Sequence, residues 1–243
     1  AAASKRRSER AAAATTPAPA TFKTRKLPHH VVSIATEQGP REYQEDRFDA
    51  ACPDSGAVHE GVVAVGVFDG HGGHACSEYL ESRLLSMVLR RHVDEGAEPH
   101  AAIMEAFAEA DKAFCAMDAT TPTGAGSTAT VALARRHRGP IPASSSSSSS
   151  SSARSARLGG RRGSASSLPE TAGVPPADVV TEGVEVVVGF AGDSRAAVLR
   201  RGTRSLEFLS VAHHGTRRDE RRRIERLGGY VVFDEIDEVY RVG

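Results

Sequence analysis

A carboxylate that ends an apolar run and opens a glycine-rich loop is poorly explained by packing, and Phe68-Asp69-Gly70-His71-Gly72-Gly73 is such a segment, following the run GVVAVGVF from Gly61 to Phe68. Gly70 can turn its carbonyl toward a cation without a side-chain clash, and Gly72 and Gly73 permit a tight backbone before a helix. A carboxylate, a carbonyl and waters are the hard oxygen ligands that Mg²⁺ or Mn²⁺ take. His71 would then stand beside a bound phosphate, where an imidazole can protonate a leaving alkoxide. Two blander readings fit the same residues: a glycine turn with Asp69 capping the helix, or an anion site at the helix N-terminus.

A second set of candidates is Arg41-Glu-Tyr-Gln-Glu45-Asp46, which follows the weakly apolar Val31 to Ile34 and a turn at Gly39-Pro40. An extended backbone from Tyr43 to Phe48 would send Glu45 and Asp46 to opposite faces, so only one could ligate a given ion directly while the other held a water. Arg41, four residues before Glu45, would project to the same side, where its planar fork could grip a phosphate. Taken alone, the hexapeptide is explained as well by an exposed strand of ion pairs.

The elements that must position these groups are legible from periodicity. Gly61 to Phe68 reads as a buried strand; His74 to about Arg91, with Leu80, Leu84 and Val88 four apart, reads as an amphipathic helix. A second helix follows, its face marked by Ile103, Phe107, Ala110, Phe114 and Met117. Strands return at Ser127 to Ala134, Val184 to Phe190 and Arg195 to Arg200, before a charged helix around Arg217 to Leu227. Strands, two consecutive helices and more strands predict an α+β layered domain rather than βαβ alternation.

The chain has 243 residues with 31 basic and 31 acidic side chains, a balance that argues against nucleic acid or anionic membrane as partner. Three widely spaced cysteines make neither a disulfide framework nor a zinc site, which fits a reducing compartment, cytoplasmic or nuclear. No apolar stretch approaches the roughly 18 to 20 residues of a spanning helix, so a soluble protein is expected. Residues 1 to 30 are basic, acid-poor and rich in Ala, Thr and Pro; this composition suits a disordered tail or an organelle transit peptide. The Ser, Arg and Gly-rich stretch at about 135 to 178 reads as a disordered insertion in the domain spanning 31 to 243.

These motifs resemble those of the type 2C, metal-dependent protein serine/threonine phosphatases. Arg41 to Asp46 is similar to the family's R-x-x-x-E-D segment, Asp69 to Gly73 to its D-G-H-x-G signature, and Gly126-Ser-Thr-Ala129 to its G-S-T-A strand start. Gly192-Asp-Ser-Arg195 with Ala196 to Leu199 resembles G-D-S-R-A-x-L, and Arg217 to Val231 resembles the helix ending in R-I-x-x-x-G-G-x-V. The resemblance implies an α/β/β/α sandwich, two stacked antiparallel sheets flanked by helices, with a site for two Mg²⁺ or Mn²⁺ ions between the sheets at one edge. It implies Asp69 bridging both ions, Glu45 and the Gly70 carbonyl completing one of them, and Asp193 near an additional ion. Asp46 would orient the attacking water, Arg41 would bind substrate phosphate and His71 would act as general acid. Two cations about 3.5 to 4 Å apart would stabilise the entering and leaving oxygens of an in-line displacement.

Two departures qualify that expectation. The family's D-G-x-[WF]-D and D-N segments do not occur before Gly243, which predicts a truncated site and little or no activity for residues 1 to 243 alone. Ala212, in Val211-Ala-His-His-Gly215, stands where many members carry Asp, and His213 and His214 are left out of the site as exposed or hydrogen-bonded loop residues. The expected function is hydrolysis of phosphoserine and phosphothreonine in a phosphoprotein substrate by a monomer; the alternative is a catalytically inactive phosphatase-like binding module.

Overall fold

The structure, a computed structural model, describes residues 21–27, 30–53, 61–138, 153–159, 182–200, 202–234 and 239–242. In chain order these form β1 (Thr21–Leu27), β2 (His30–Thr36), β3 (Arg47–Ala51), β4 (Val63–Phe68) and the short β5 (Gly70–His71). Helices α1 (Ala75–Leu89) and α2 (Pro99–Asp118) follow, joined by a π-helical turn at Arg90–Asp94. Then come β6 (Gly126–Ser127), β7 (Ala129–Arg138), β8 (Ala153–Gly159), β9 (Glu182–Ala191), β10 (Ala197–Arg200), β11 (Ser205–Phe208), α3 (Arg218–Arg226), β12 (Val231–Asp234) and β13 (Val239–Val242).

The main sheet is antiparallel throughout, in the order β3-β4-β7-β9-β8. Side chains alternate across a pleated strand, and here the alternation divides two cores. Ala64 and Phe68 on β4, Ala129, Val131 and Leu133 on β7, and Val187 on β9 pack with the helices. The helices contribute Leu80, Leu84, Leu85, Val88 and Leu89 from α1 and Ile103, Ala106 and Ala110 from α2. On the opposite face Val186, Val188 and Phe190 of β9 meet Leu209, Ala196 and Val198, so the β10–β11 ribbon begins a second β layer behind the sheet. This is the α+β layering expected, helix on sheet on sheet. Glycine lets the layers close: a Cβ on Gly189 would lie 2.3 Å from Cγ2 of Ile103.

The helix face read from sequence holds with one exception. Met117 is 54% exposed, because α2 runs past the edge of the buried cluster while Ala102 and Ala106 fill the contact instead. The corner between the helices is fastened by charge: Arg91 pairs with Glu105 at 2.8 Å and with Glu109, and Arg90 pairs with Glu95. No helix among the described residues is long and apolar enough to cross a membrane.

Regular backbone extends into both segments of biased composition. Within 1 to 30, Thr21–Leu27 forms β1, paired residue by residue with β2, and residues 1–20 lie outside the described residues. Within 135 to 178, β7 continues to Arg138 and β8 pairs along β9 from Ala153 to Gly159; residues 139–152 and 160–181 lie outside. In both cases a neighbouring strand supplies the hydrogen bonds that the local composition does not specify.

Candidate functional site

The buried strand β4 delivers Asp69 to the end of the main sheet, as its sequence pattern predicts. The backbone there is fixed by β6 and its neighbour: Asp69 N donates to Thr128 Oγ1 at 3.2 Å, and Thr128 N donates to the Asp69 carbonyl at 2.9 Å. Thr128 Oγ1 in turn lies 2.8 Å from Ser194 Oγ, which ties the Asp69 loop to the turn carrying Asp193. That turn follows β9 and depends on Gly192, whose φ of 100° lies in the region open to glycine; a Cβ there would stand 2.6 Å from Thr128 Cγ2.

Glu45 and Asp46 arrive by a different route from the one the sequence suggested. The residues from Arg41 to Asp46 are not a strand: 41–43 form a bend, 44–46 are irregular, and β3 begins only at Arg47. Gly39, at φ 60°, turns the chain. Gln44 Nε2 then holds it back on Thr36 Oγ1 at 2.8 Å and on the Glu37 carbonyl at 3.2 Å. Arg41 and Glu45 therefore do not share the face of one strand. Arg41 is exposed, and its side chain makes no hydrogen bond or ion pair among the described residues.

Two residues that the sequence reading did not single out lock this loop. Ser77, fully buried on α1, donates its hydroxyl to the Glu45 carbonyl at 2.5 Å and lies 3.0 Å from the His74 carbonyl. Arg47 donates to the carbonyls of Gln44 at 2.8 Å and Asp46 at 3.0 Å while pairing with Glu78 of α1 at 2.6 Å. The Glu45 carboxylate accepts from Gly73 N at 2.5 Å, at the start of the helix. Arg47→Met should therefore release the loop carrying Glu45 and Asp46 and weaken any divalent-ion binding there about tenfold or more, although it replaces no acidic side chain, measured by calorimetric titration with Mn²⁺. Unchanged affinity would show the guanidinium to be dispensable.

Gly70 is buried, and a Cβ on it would lie 2.5 Å from the Glu45 carbonyl oxygen and 2.8 Å from Ser77 Oγ. The segment pairs as β5 with β6, Gly70 opposite Ser127 and His71 opposite Gly126. The exposed His71 ring lies over Gly126, where a Cβ would stand 2.4 Å from Nε2.

Electrostatics gather the acids. Burial against the surrounding loops pushes the Asp69 carboxyl above its ordinary value, although the residue as a whole reaches solvent. The charges of Asp46 and Asp193 and a hydrogen bond with Asp46 push the same way, and His71 opposes them. An Asp69 carboxyl whose ionisation is opposed by neighbouring negative charge suits a divalent cation, which would reverse the sign of that interaction. Among the described residues no group of three or more His, Cys, Asp or Glu side chains is placed so as to hold a metal ion.

His213 also serves this end of the molecule. Its backbone N donates to the Gly192 carbonyl at 2.9 Å, its ring stacks on Phe190 at 4.9 Å, and burial holds its imidazole below the ordinary value. It supports the Asp193 turn as a neutral, hydrogen-bonded residue. His214 is exposed and lies 2.7 Å from Thr216 Oγ1.

The chain resembles known proteins over nearly its whole length. It is 27% identical over 231 residues to protein phosphatase 1K, mitochondrial, of Xenopus laevis, covering 90% of this chain and 47% of that protein. It is 29% identical over 197 residues to probable protein phosphatase 2C 11 of Arabidopsis thaliana, covering 81% of this chain and 39% of that one. The chain thus spans about half or less of the length of these curated relatives. A solved structure of a C. elegans sex-determining protein superposes with a TM-score of 0.51 at 17% identity, over 94% of this chain and 42% of that one, a likeness of fold alone. The family model described as Protein phosphatase 2C matches residues 36–143 and 150–242, which takes in the acid-bearing loops, the main sheet and all three helices; the chain belongs to the protein phosphatase 2C family.

Proposed function

We propose that the protein hydrolyses phosphoserine and phosphothreonine esters in protein substrates, with two divalent cations, Mg²⁺ or Mn²⁺, held at the Asp69 end of the main sheet. The observation that carries this reading is the joining of the acid-bearing loops at one end of the sheet: Glu45 is bonded to Gly73 N, Asp69 to Thr128, and Thr128 to Ser194 beside Asp193, while the charges of Asp46 and Asp193 push the Asp69 carboxyl above its ordinary value.

Asp69, Glu45 and the Gly70 carbonyl would hold the ions, with Asp193 at a further, weaker position. When bound, the cations supply a nucleophile at neutral pH and neutralise charge on the phosphoryl oxygens. The rest falls to this chain's own groups. Asp46 orients the attacking water and accepts a hydrogen bond from it. Arg41, exposed and without a partner among the described side chains, is free to bind phosphate oxygens through its planar fork. As the water oxygen bonds to phosphorus and the ester P–O bond breaks, Asp46 takes up the proton the water sheds and His71 donates a proton to the departing serine or threonine oxygen; inorganic phosphate and the dephosphorylated protein leave, and solvent returns the protons. Little covalent help is asked of the protein, since phosphoryl transfer is governed by positioning and charge.

The test is turnover of a phosphothreonine peptide by the full-length protein with and without Mn²⁺. The rate should fall at least about a hundredfold in excess chelator and return on adding Mn²⁺. Undiminished turnover in chelator would refute the metal-dependent reading.

A further inference from the structure

Helix α3 carries more positive charge than its own acids neutralise, and the surplus lies along one line. Asp219 is engaged by Arg217, and the buried Glu220 by Arg223 at 2.5 Å. Arg221 stands over the Tyr240 ring at 5.8 Å and donates to the Gly215 carbonyl at 3.2 Å. Arg218, Arg222 and Arg226 remain. All three are exposed and spaced four apart, so they align on one side of the helix, and none forms an ion pair among the described residues. Arg226 donates to the Arg222 carbonyl at 3.1 Å. Two acids border this line, Glu225, which forms no ion pair among the described residues, and Asp219, which is held by Arg217.

Such an arrangement works against the helix that bears it. Like charges four apart repel, and a guanidinium at Arg218 opposes the positive end of the helix dipole. What holds α3 is its other side, where Ile224 and Glu220 are buried. A local conflict of this kind marks a surface shaped for a ligand of opposite charge. The helix is also joined to the candidate site: Arg217 donates to the Ala212 carbonyl at 2.7 Å, and the adjoining His213 is bonded to Gly192 beside Asp193.

We propose that Arg218, Arg222 and Arg226 form a docking stripe for acidic residues flanking the phosphorylated serine or threonine of a protein substrate. The proposal rests on the phosphatase reading above and adds a preference that the metal site alone does not supply. The stripe is roughly 12 Å long at a rise of about 1.5 Å per residue, which matches three to four residues of an extended peptide. Exposed arginines contribute modestly one by one, but three in line give selectivity and a faster encounter that salt suppresses.

The experiment compares the full-length protein with the triple variant Arg218→Gln, Arg222→Gln, Arg226→Gln on three substrates: an aryl phosphate, a phosphothreonine peptide with Asp and Glu flanks, and the same peptide with Asn and Gln flanks. Loss of the stripe should lower kcat/KM on the acidic peptide about tenfold, mostly through KM, and leave the other two within about twofold. The corresponding triple Lys variant should retain most of the preference, and circular dichroism should match for all. Salt should weaken the acidic-peptide preference of the unaltered protein and have little effect on the variant. Equal rates on the acidic and neutral peptides for the unaltered protein, or equal losses on all three substrates, would overturn the stripe. So would a single-stranded RNA that displaced a fluorescent acidic peptide at far lower concentration than the unlabelled peptide. If no substrate turned over, the phosphatase reading would fail by itself, and anisotropy with the fluorescent acidic peptide would still decide whether the stripe binds acid.

Discussion

Asp69→Asn should lower turnover by about three orders of magnitude while raising the melting temperature of the cation-free protein. The loss follows from removing a carboxylate proposed to hold the ions, whose charge stabilisation amounts to several kcal/mol, each 1.4 kcal/mol being about tenfold in rate. The stability gain follows from the opposite balance without cations, where Asp69 is pushed above its ordinary value by burial and by Asp46 and Asp193. For a carboxyl raised in this way the folded state binds the proton more tightly than the unfolded chain does. Its contribution therefore destabilises the fold at neutral pH and is relieved as pH falls through its titration, contrary to the usual behaviour of a paired carboxylate. The amide removes the charge and with it the pH dependence. Thermal melts in chelator, set beside Mn²⁺-dependent turnover, test both halves. An Asn variant that melted lower than the unaltered protein in chelator would contradict the electrostatic account, and one that kept its turnover would contradict the ligand assignment.

Gly70→Ala should be nearly as damaging to ion binding, although it removes no ligand side chain. The added methyl would stand 2.5 Å from the Glu45 carbonyl oxygen and 2.8 Å from Ser77 Oγ. Backbone must then move, and what moves is the loop carrying Glu45 and Asp46. Mn²⁺ affinity should weaken on the order of a hundredfold, at the upper end of what disturbing ligand support produces. Overpacking should also cost about 1–3 kcal/mol of stability, so a moderate drop in melting temperature is expected beside the larger loss of affinity. Native affinity in the Ala variant would show that the loop has room the structure does not display.

What the sequence disclosed and what it did not differ in kind. Residues whose meaning lies in their immediate neighbours were readable: Asp69 at the end of an apolar run, Gly72 and Gly73 with φ of 67° and 121°, and the buried stripes of α1 and α2. An extended backbone from Tyr43 to Phe48 holds only from Arg47 onward, because the course of the chain before it is set by Thr36, Ser77 and Glu78, none of which leaves a local pattern. Ser77 looks like any small polar residue on a helix until the Glu45 carbonyl is found against it. Gly70 was read for its carbonyl, whereas the structure adds a steric reason, the space a side chain would take from Glu45. On α3, which the sequence marks only as a charged helix, the pairing of Asp219 with Arg217 and of Glu220 with Arg223 separates the neutralised arginines from the line of three that is not.

The bonds that fasten the site join residues far apart in the chain. Glu45 is tied across 28 residues to Gly73 and across 32 to Ser77, Asp69 across 59 to Thr128, and Thr128 across 66 to Ser194. Each contact closes a large loop of chain, whose entropy must be overcome before the contact repays it. α1 and α2 rest on bonds four residues long and can form early, whereas the carboxylates meet only after β4, β7 and β9 have paired. The proposed cation affinity is therefore a late property in folding. A metal ion can reward the completed sheet but has nothing to nucleate on before it, so the rate of refolding should be insensitive to Mn²⁺ even where the final stability is not.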